Sequence, residues 1–269
     1  MDHEIIYLKP IYMCPDPFLN EDPWFAIEQE YMLFTSVGTT NQWPLNWPRG
    51  GYPEPLMPYC KYYCSVGDNS CFGRGIAEAH IRMCLFSGIQ VSGLNGESDP
   101  SQWEFQIGIS KGIQAADMLW VARYILIRLG EKMGICICFC PKPFKGDWKG
   151  QGGHVNFSTK SSRQENGLDI IIDEYIPRMH EKHMEHIEVY GENNELRLLG
   201  SHETSIYNKF NFKECSRDVS IRIPSVVQEN NKGYMEDRRP ASNMEPYLVL
   251  AIIADTCLLD SEFCDEILF

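Results

Sequence analysis

Apolar and polar residues alternate through Phe25-Ala26-Ile27-Glu28-Gln29-Glu30-Tyr31-Met32-Leu33, with Glu28 and Glu30 on one side and Ile27, Tyr31 and Leu33 on the other. That period of two predicts a strand running to Phe34. The same alternation predicts strands over residues 90–94 and 102–109. In the second, Gln102, Glu104 and Gln106 oppose Trp103, Phe105 and Ile107. Residues 135–140 read as a short buried strand. His154, Asn156 and Ser158 share a polar face opposite Val155 and Phe157, and 220–223 and 234–238 alternate again.

Helical spacing takes over elsewhere. Ile76, Ala79, His80 and Met83 predict a helix over 75–87. Residues 114–132 are apolar almost all round (Met118, Leu119, Val121, Ala122, Ile125, Leu126, Leu129), which predicts a deeply packed helix. Residues 166–189 read as helical with an interruption at Pro177, and 244–259 as a final apolar helix. Between them lie an irregular Pro- and aromatic-rich lead-in over 1–23, a long packed loop over 35–60 with Trp43 and Trp47, a Gly-rich loop over 146–153, and an acidic tail over 261–266 expected to fray. No repeat or linker divides the chain. The pattern predicts one α+β domain, a curved antiparallel β-sheet with a polar concave face, backed by α-helices.

Composition narrows the partners. Of 269 residues, 24 are Lys or Arg and 37 Asp or Glu, a formal charge of −13. That balance argues against nucleic acid or an anionic membrane and suits a protein that gathers divalent cations. No apolar run approaches the roughly 20 residues of a membrane span. Met1-Asp2-His3-Glu4 lacks the basic start of a signal peptide, so a cytoplasmic protein with reduced thiols is expected despite its 11 cysteines. Cys136, Cys138 and Cys140 share one strand face, but their spacing departs from zinc motifs, and they read as small buried hydrophobes. Cys60 and Cys64 have no second ligand pair. His180, His183 and His186 fit neither H-E-x-x-H nor an i, i+4 pair and read as a solvated helix face.

A lone E-x-E pair on a strand is a solvated edge. Here the arrangement recurs: Glu28 and Glu30; Glu104; His154, Asn156 and Ser158; Arg222; Glu236 and Arg238. If the sheet curves, these side chains converge in a trough that Glu97 joins from a turn at Asn95-Gly96. Five carboxylates and a histidine form a hard-ligand set that favours two Mg²⁺ or Mn²⁺ ions over zinc. Arg197, Arg217, Arg222 and Arg238 would then serve an anion bound above them. Carboxylates, hard cations and arginines make the layout of phosphoryl transfer from a nucleotide. The Gly-rich loop carries no G-K-[ST] and is not a Walker motif.

Pro23-Trp24-Phe25-Ala26-Ile27-Glu28-Gln29-Glu30-Tyr31 resembles the opening of the glutamine synthetase catalytic domain, eukaryotic type. Asn95-Gly96-Glu97, Gln102-Trp103-Glu104-Phe105-Gln106, Gly153-His154-Val155-Asn156-Phe157-Ser158, Gly200-Ser201-His202-Glu203-Thr204, Ser220-Ile221-Arg222-Ile223-Pro224 and Gly233-Tyr234-Met235-Glu236-Asp237-Arg238 resemble that family in the same order, over residues 21–260. The resemblance implies one metal on Glu30, Glu97 and Glu104, and a second on Glu28, His154 and Glu236. It implies an ATP site lined by Trp24, Glu104, Phe105, Gln106, Asn156, Phe157, Ser158 and Tyr234, with Arg217 and Arg222 on the phosphates. Asp147, Trp148, Lys149, Gly150, Arg197 and Arg238 would hold glutamate, and Glu203 would sit on a flap that keeps water out, so that Glu203, Arg217 and Arg238 carry the catalysis. The implied reaction ligates ammonia to glutamate through γ-glutamyl phosphate.

The chain also departs from that family. Residues 1–20 are expected to be the irregular remnant of a small β-grasp domain that family members carry ahead of the catalytic domain, here 21–269. In the family that domain walls the active site of a neighbouring subunit in a ring, so neither ring assembly nor the ammonium wall carries over by resemblance. Lys149 stands where the family loop has Asn, and residues 66–70 and 206–215 drift from the pattern. The competing reading is a non-catalytic relative that binds metal and ATP, or pairs with full-length subunits.

Overall fold

Strand β1 (Trp24–Thr35) is hydrogen-bonded along both edges. The computed structural model that shows this describes residues 20–35, 43–47, 62–67, 70–146 and 148–259. One edge of β1 pairs antiparallel with β3 (Gln102–Lys111), which in turn pairs with β2 (Val91–Gly96). The other edge pairs with β5 (Gly153–Ser158) and, at the far end of β1, with the short β4 (Ile135–Cys138). Beyond β5 the eight-stranded sheet continues in the order β8 (Met235–Asp237), β7 (Ile221–Ile223), β6 (Phe212–Glu214). The described pairs are antiparallel except β6–β7, which is parallel. That one departure from the expected sheet falls on the three-residue edge strand within the stretch whose sequence drifts.

Helices cover one face. These are α1 (Arg74–Phe86), α2 (Gln114–Met133), the broken stretch α3 (Gly167–Ile170), α4 (Ile176–Glu181) and α5 (His183–Val189), α6 (Ser225–Asn230), and α7 (Pro246–Leu258). The odd-numbered residues of β1 (Phe25, Ile27, Tyr31, Leu33) point into the layer between sheet and helices with Trp103, Phe105, Ile107, Val155 and Phe157. These side chains are almost fully buried, at about 25 cal/mol per Å² of apolar surface removed from water. Pro177 sits in the first turn of α4, directly after a π-helical turn over Ile171–Tyr175. The Glu245 side chain caps α7 by accepting from the Leu248 N–H at 2.8 Å.

Three expectations are corrected. Helix α2 is buried on one face: Trp120, Val121, Tyr124 and Ile127 lie 43–63% exposed, because among the described residues it packs on its side toward α1, α7 and the sheet. His183 and His186 are buried rather than solvated, since α5 packs on α7 and the imidazoles find partners in Tyr207, Arg239 and Thr256. Cys140 lies beyond the end of β4 and is exposed, while Cys136 and Cys138 are half-buried. The described cysteines are free thiols. Trp43 and Trp47, in the described part of the 35–60 segment, pack against Phe144, Tyr62 and Trp148. The lead-in over 1–19, most of 36–61 and the acidic tail lie outside the described residues. Among the described residues no helix is long and apolar enough to cross a membrane.

Candidate active site

The even-numbered positions of β1 point the other way, and sheet register decides what they meet. Glu30 stands opposite Glu104 of β3, and Glu28 opposite His154 of β5. One strand further, Asn156 faces Glu236 of β8, which faces Arg222 of β7. Asn95 of β2 pairs with Glu104 and begins the turn that delivers Glu97, whose N–H donates to the Gln102 carbonyl at 2.8 Å. Cross-strand neighbours lie about 5 Å apart, so residues distant in the chain become two compact triads. In Glu28, His154 and Glu236, and again in Glu30, Glu97 and Glu104, one ligand atom from each residue lies within 4.8 Å of the others.

Five of the six triad residues, all but the fully buried Glu236, line a cavity of about 240 Å³ with Tyr63, Gln106, Glu203, Arg217, Arg222 and Arg238. Beside it an apolar cavity of about 270 Å³ runs along Trp24, Ala26, Ile109, Asn156, Phe157, Ser158, Arg163 and Tyr234. A third, of about 30 Å³, lies between the acidic basin and Gln102, Lys149, Gly150, Arg197, His202 and Thr204. Gly152 is required at its position. A Cβ there would come within 2.4 Å of the His154 ring, and its N–H donates to Glu30 Oε2 at 2.8 Å.

Crowding dominates the electrostatics. Burial and the neighbouring Glu30 carboxylate push Glu97 up to about 8, and burial raises Glu30 too. Glu104 is raised well above the usual carboxylate range by burial, then by Glu28, Glu97 and Glu30. Burial and the Arg238 guanidinium hold His154 well below the ordinary imidazole range. Glu236, fully buried, is paired with Arg238 at 2.6 Å and with Arg222. Glu203 is the exception on the rim: burial works to raise it, but Lys149 and Arg217 outweigh that and hold it below the usual range.

A divalent cation fits these residues. His154 Nδ1 is buried, makes no hydrogen bond, and lies 3.7 Å from Glu28 Oε2 and 3.6 Å from Glu236 Oε1. Those separations are too long for hydrogen bonds and suit ligands that share an ion. Carboxylates raised by burial, and in Glu97 and Glu104 also by their neighbours, are likewise groups whose charge an added cation would release.

The remaining candidate residues divide between the cavities. Trp24, Asn156, Phe157, Ser158 and Tyr234 line the apolar one; Glu104, Gln106, Arg217 and Arg222 line the acidic one. The Phe105 ring points into the core, against His80 and Tyr31, and Trp148 is buried against Phe144 and Trp47. Lys149, Gly150, Arg197 and Arg238 border the smallest cavity, with Glu203. Arg197 is largely committed to protein, donating to the carbonyls of Arg238, Arg239 and Pro240 at 2.6–3.1 Å. Asp147 lies outside the described residues.

Sequence reasoning passed over Arg163, whose guanidinium lies 4.0 Å from the Trp24 ring centroid and donates to Ser158 Oγ at 3.0 Å. It also passed over Gln29, a fully buried polar side chain on the core face of β1. Gln29 Oε1 accepts from Arg123 of α2 at 2.6 and 2.8 Å, and Gln29 Nε2 donates to the Ser242 carbonyl. A polar residue at an inward position of an alternating strand was the available signal for that link.

A model of the glutamine synthetase catalytic-domain family ("Glutamine synthetase, catalytic domain") matches residues 19–175. The chain is 51% identical over 239 residues to Glutamine synthetase N-1 of Phaseolus vulgaris, covering 89% of this chain and 65% of that protein. It is 49% identical over 249 residues to Glutamine synthetase cytosolic isozyme 1-1 of Oryza sativa subsp. japonica, covering 93% of this chain and 68% of the relative. Cytosolic isozyme 1-5 of Arabidopsis thaliana is 51% identical over 239 residues, 89% of this chain and 66% of its own.

This chain belongs to the glutamine synthetase family. The eight-stranded sheet backed by helices agrees with that membership, as the resemblance implied. The chain spans about two thirds of the length of these curated relatives.

Proposed function

We propose that this chain is a glutamate–ammonia ligase: it joins ammonia to the side-chain carboxylate of glutamate at the expense of ATP, through γ-glutamyl phosphate. The observation that carries this reading is the pair of triads flanking the acidic basin, one of them built around the unpartnered His154 Nδ1. We take residues 21–269 as the catalytic domain, working in the cytoplasm, with glutamate, ammonia and ATP as substrates and two or more Mg²⁺ or Mn²⁺ ions as cofactors.

Glu30, Glu97 and Glu104 would hold one cation, and Glu28, His154 and Glu236 the other. Bound there, the cations would supply charge neutralisation for the nucleotide's phosphates and for the phosphoryl group in transfer. The residues around them do the rest. Trp24, Tyr234 and Ile109 offer apolar walls for a nucleoside, with Asn156 and Ser158, on either side of the inward-facing Phe157, as polar contacts. Arg217 and Arg222 lie on the wall of the basin where phosphate charge would gather, and Arg238 reaches between it and the smaller amino-acid cavity. Glu203 and its neighbours form the rim that would exclude water from an acyl phosphate, which hydrolyses if wetted. Neither step needs a protein nucleophile.

Phosphate release from ATP in Mg²⁺ tests the reading. Release should require glutamate and ammonia together; the same rate without glutamate overturns the ligase and leaves a metal- and nucleotide-binding relative.

A further inference from the structure

Lys149 reaches into the smallest cavity from the Gly-rich loop and is held there. Its N–H donates to Asp99 Oδ2 at 2.7 Å, and its ammonium donates to Ser98 Oγ at 2.8 Å and to Glu203 Oε2 at 3.3 Å. Glu203 comes from the opposite rim, in the turn His202-Glu203, where both residues take positive φ (54° and 64°). Left-handed backbone at two consecutive non-glycine residues is unfavourable by itself. Here the turn is tied down by Lys149, by Arg217 at 3.4 Å, and by Arg238 donating to the Glu203 carbonyl at 3.3 Å.

The cavity beneath measures about 30 Å³, on the scale of one or two water molecules and too small for an amino acid. Lining that space is the Glu203 side chain, chemically the side chain of glutamate, with its carboxylate on a lysine. The neighbouring arginine is less available, because Arg197 donates to three backbone carbonyls.

We infer that Glu203 occupies the carboxylate site on the Lys149 ammonium in the resting chain, as an internal plug that an acidic amino acid must displace. An entering substrate exchanges one carboxylate for another on the Lys149 ammonium, and the displaced Glu203 carboxylate keeps Arg217 as its partner. Because the exchange is of like for like, the site gains little net charge energy from an acidic amino acid and rejects one with no carboxylate to offer. This inference rests on the reading of the site as a glutamate ligase.

Calorimetric titration of glutamate into the full chain, with Mg²⁺ present and no nucleotide, separates the two ideas. Relative to wild type, Glu203→Gln should bind glutamate several-fold more tightly. Lys149→Met should bind it about tenfold more weakly, the scale of one charge-assisted hydrogen bond, and Lys149→Arg should restore most of that loss. Glutamine lacks the side-chain carboxylate and 4-aminobutanoate lacks the α-carboxylate; whichever loses its sensitivity to Lys149→Met identifies the carboxylate that lysine takes. Glutamate affinity unchanged in Lys149→Met, or weakened in Glu203→Gln, overturns the plug and leaves the ligase reading standing. Sensitivity kept by both analogues overturns carboxylate recognition by Lys149. Absence of glutamate binding in all four proteins overturns both.

Discussion

Two neighbouring residues of β8 enter opposite kinds of buried charge. Glu236 faces the basin; Asp237, next in the chain, faces the helices and meets a closed set of partners. Asp237 Oδ1 accepts from the Arg239 N–H and Nε at 3.0 and 2.9 Å, and Oδ2 from Arg239 Nη2 at 2.7 Å and the Tyr190 hydroxyl at 2.6 Å. Arg239 Nη1 donates to His183 Nδ1 at 3.0 Å, and His183 Nε2 donates to the Tyr207 carbonyl at 3.0 Å. His186 bridges the Tyr190 hydroxyl and Thr256 Oγ1. Carboxylate and guanidinium balance, and every donor named has an acceptor. In the basin five carboxylates face fewer cations, Glu97 and Glu104 are raised by burial and by neighbouring carboxylates, and the His154 ring has a nitrogen with no hydrogen-bond partner. A buried set that satisfies itself holds the fold. One that is short of charge is waiting for a ligand.

Breaking the closed set should have the largest effect. Asp237→Ala strands the Arg239 cation in a fully buried site and should destabilise the chain by about 3–5 kcal/mol in denaturant unfolding without metal. A loss below about 1 kcal/mol would mean the two regions differ less than their geometry says. Next comes Glu104→Ala, which should abolish Mg²⁺-dependent ATP binding. It should leave metal-free stability within about 1 kcal/mol of wild type, or raise it, because it removes one of several mutually repelling carboxylates. Unchanged nucleotide affinity in that variant would refute the metal assignment.

Removing the ion itself sharpens the contrast. With Mn²⁺ at a hundredfold excess over its Kd, wild type should gain about 2.7 kcal/mol over the chelated chain, and Glu104→Ala should gain much less. Equal gains in both would place the ion elsewhere. The smallest effect belongs to a region with no charge at stake: Tyr124→Ser on the outer face of α2 should shift unfolding by less than about 0.5 kcal/mol.

How far each region was legible in the sequence follows from the same contrast. The basin could be read because its residues obey the period of the strands that carry them. Once Glu28, Glu30, Glu104, His154 and Glu236 are placed on one face, curvature brings them together. The closed set could not be read that way. His183 and His186 look like a wet helix face because Arg239 and Thr256, which pair with them, arrive from segments fifty and more positions away. Gln29 was hidden for a related reason: its neighbours Glu28 and Glu30 drew the eye to the opposite side of the strand, while its partner Arg123 sits on α2. The outward side of α2 was misjudged because apolar residues all round a helix give no indication of which side meets protein.

The seat of β1 at the middle of the sheet has a bearing on how the chain finds its fold. A slip of one residue against β3 and β5 would turn Glu28 and Glu30 under the helices and push Phe25, Ile27 and Tyr31 out into water. Each misaligned pairing would thus bury naked carboxylates in oil and strip the core of its largest rings at once. The acidic residues that make the open basin costly to hold also act as proofreaders, leaving the central strand a single alignment it can keep.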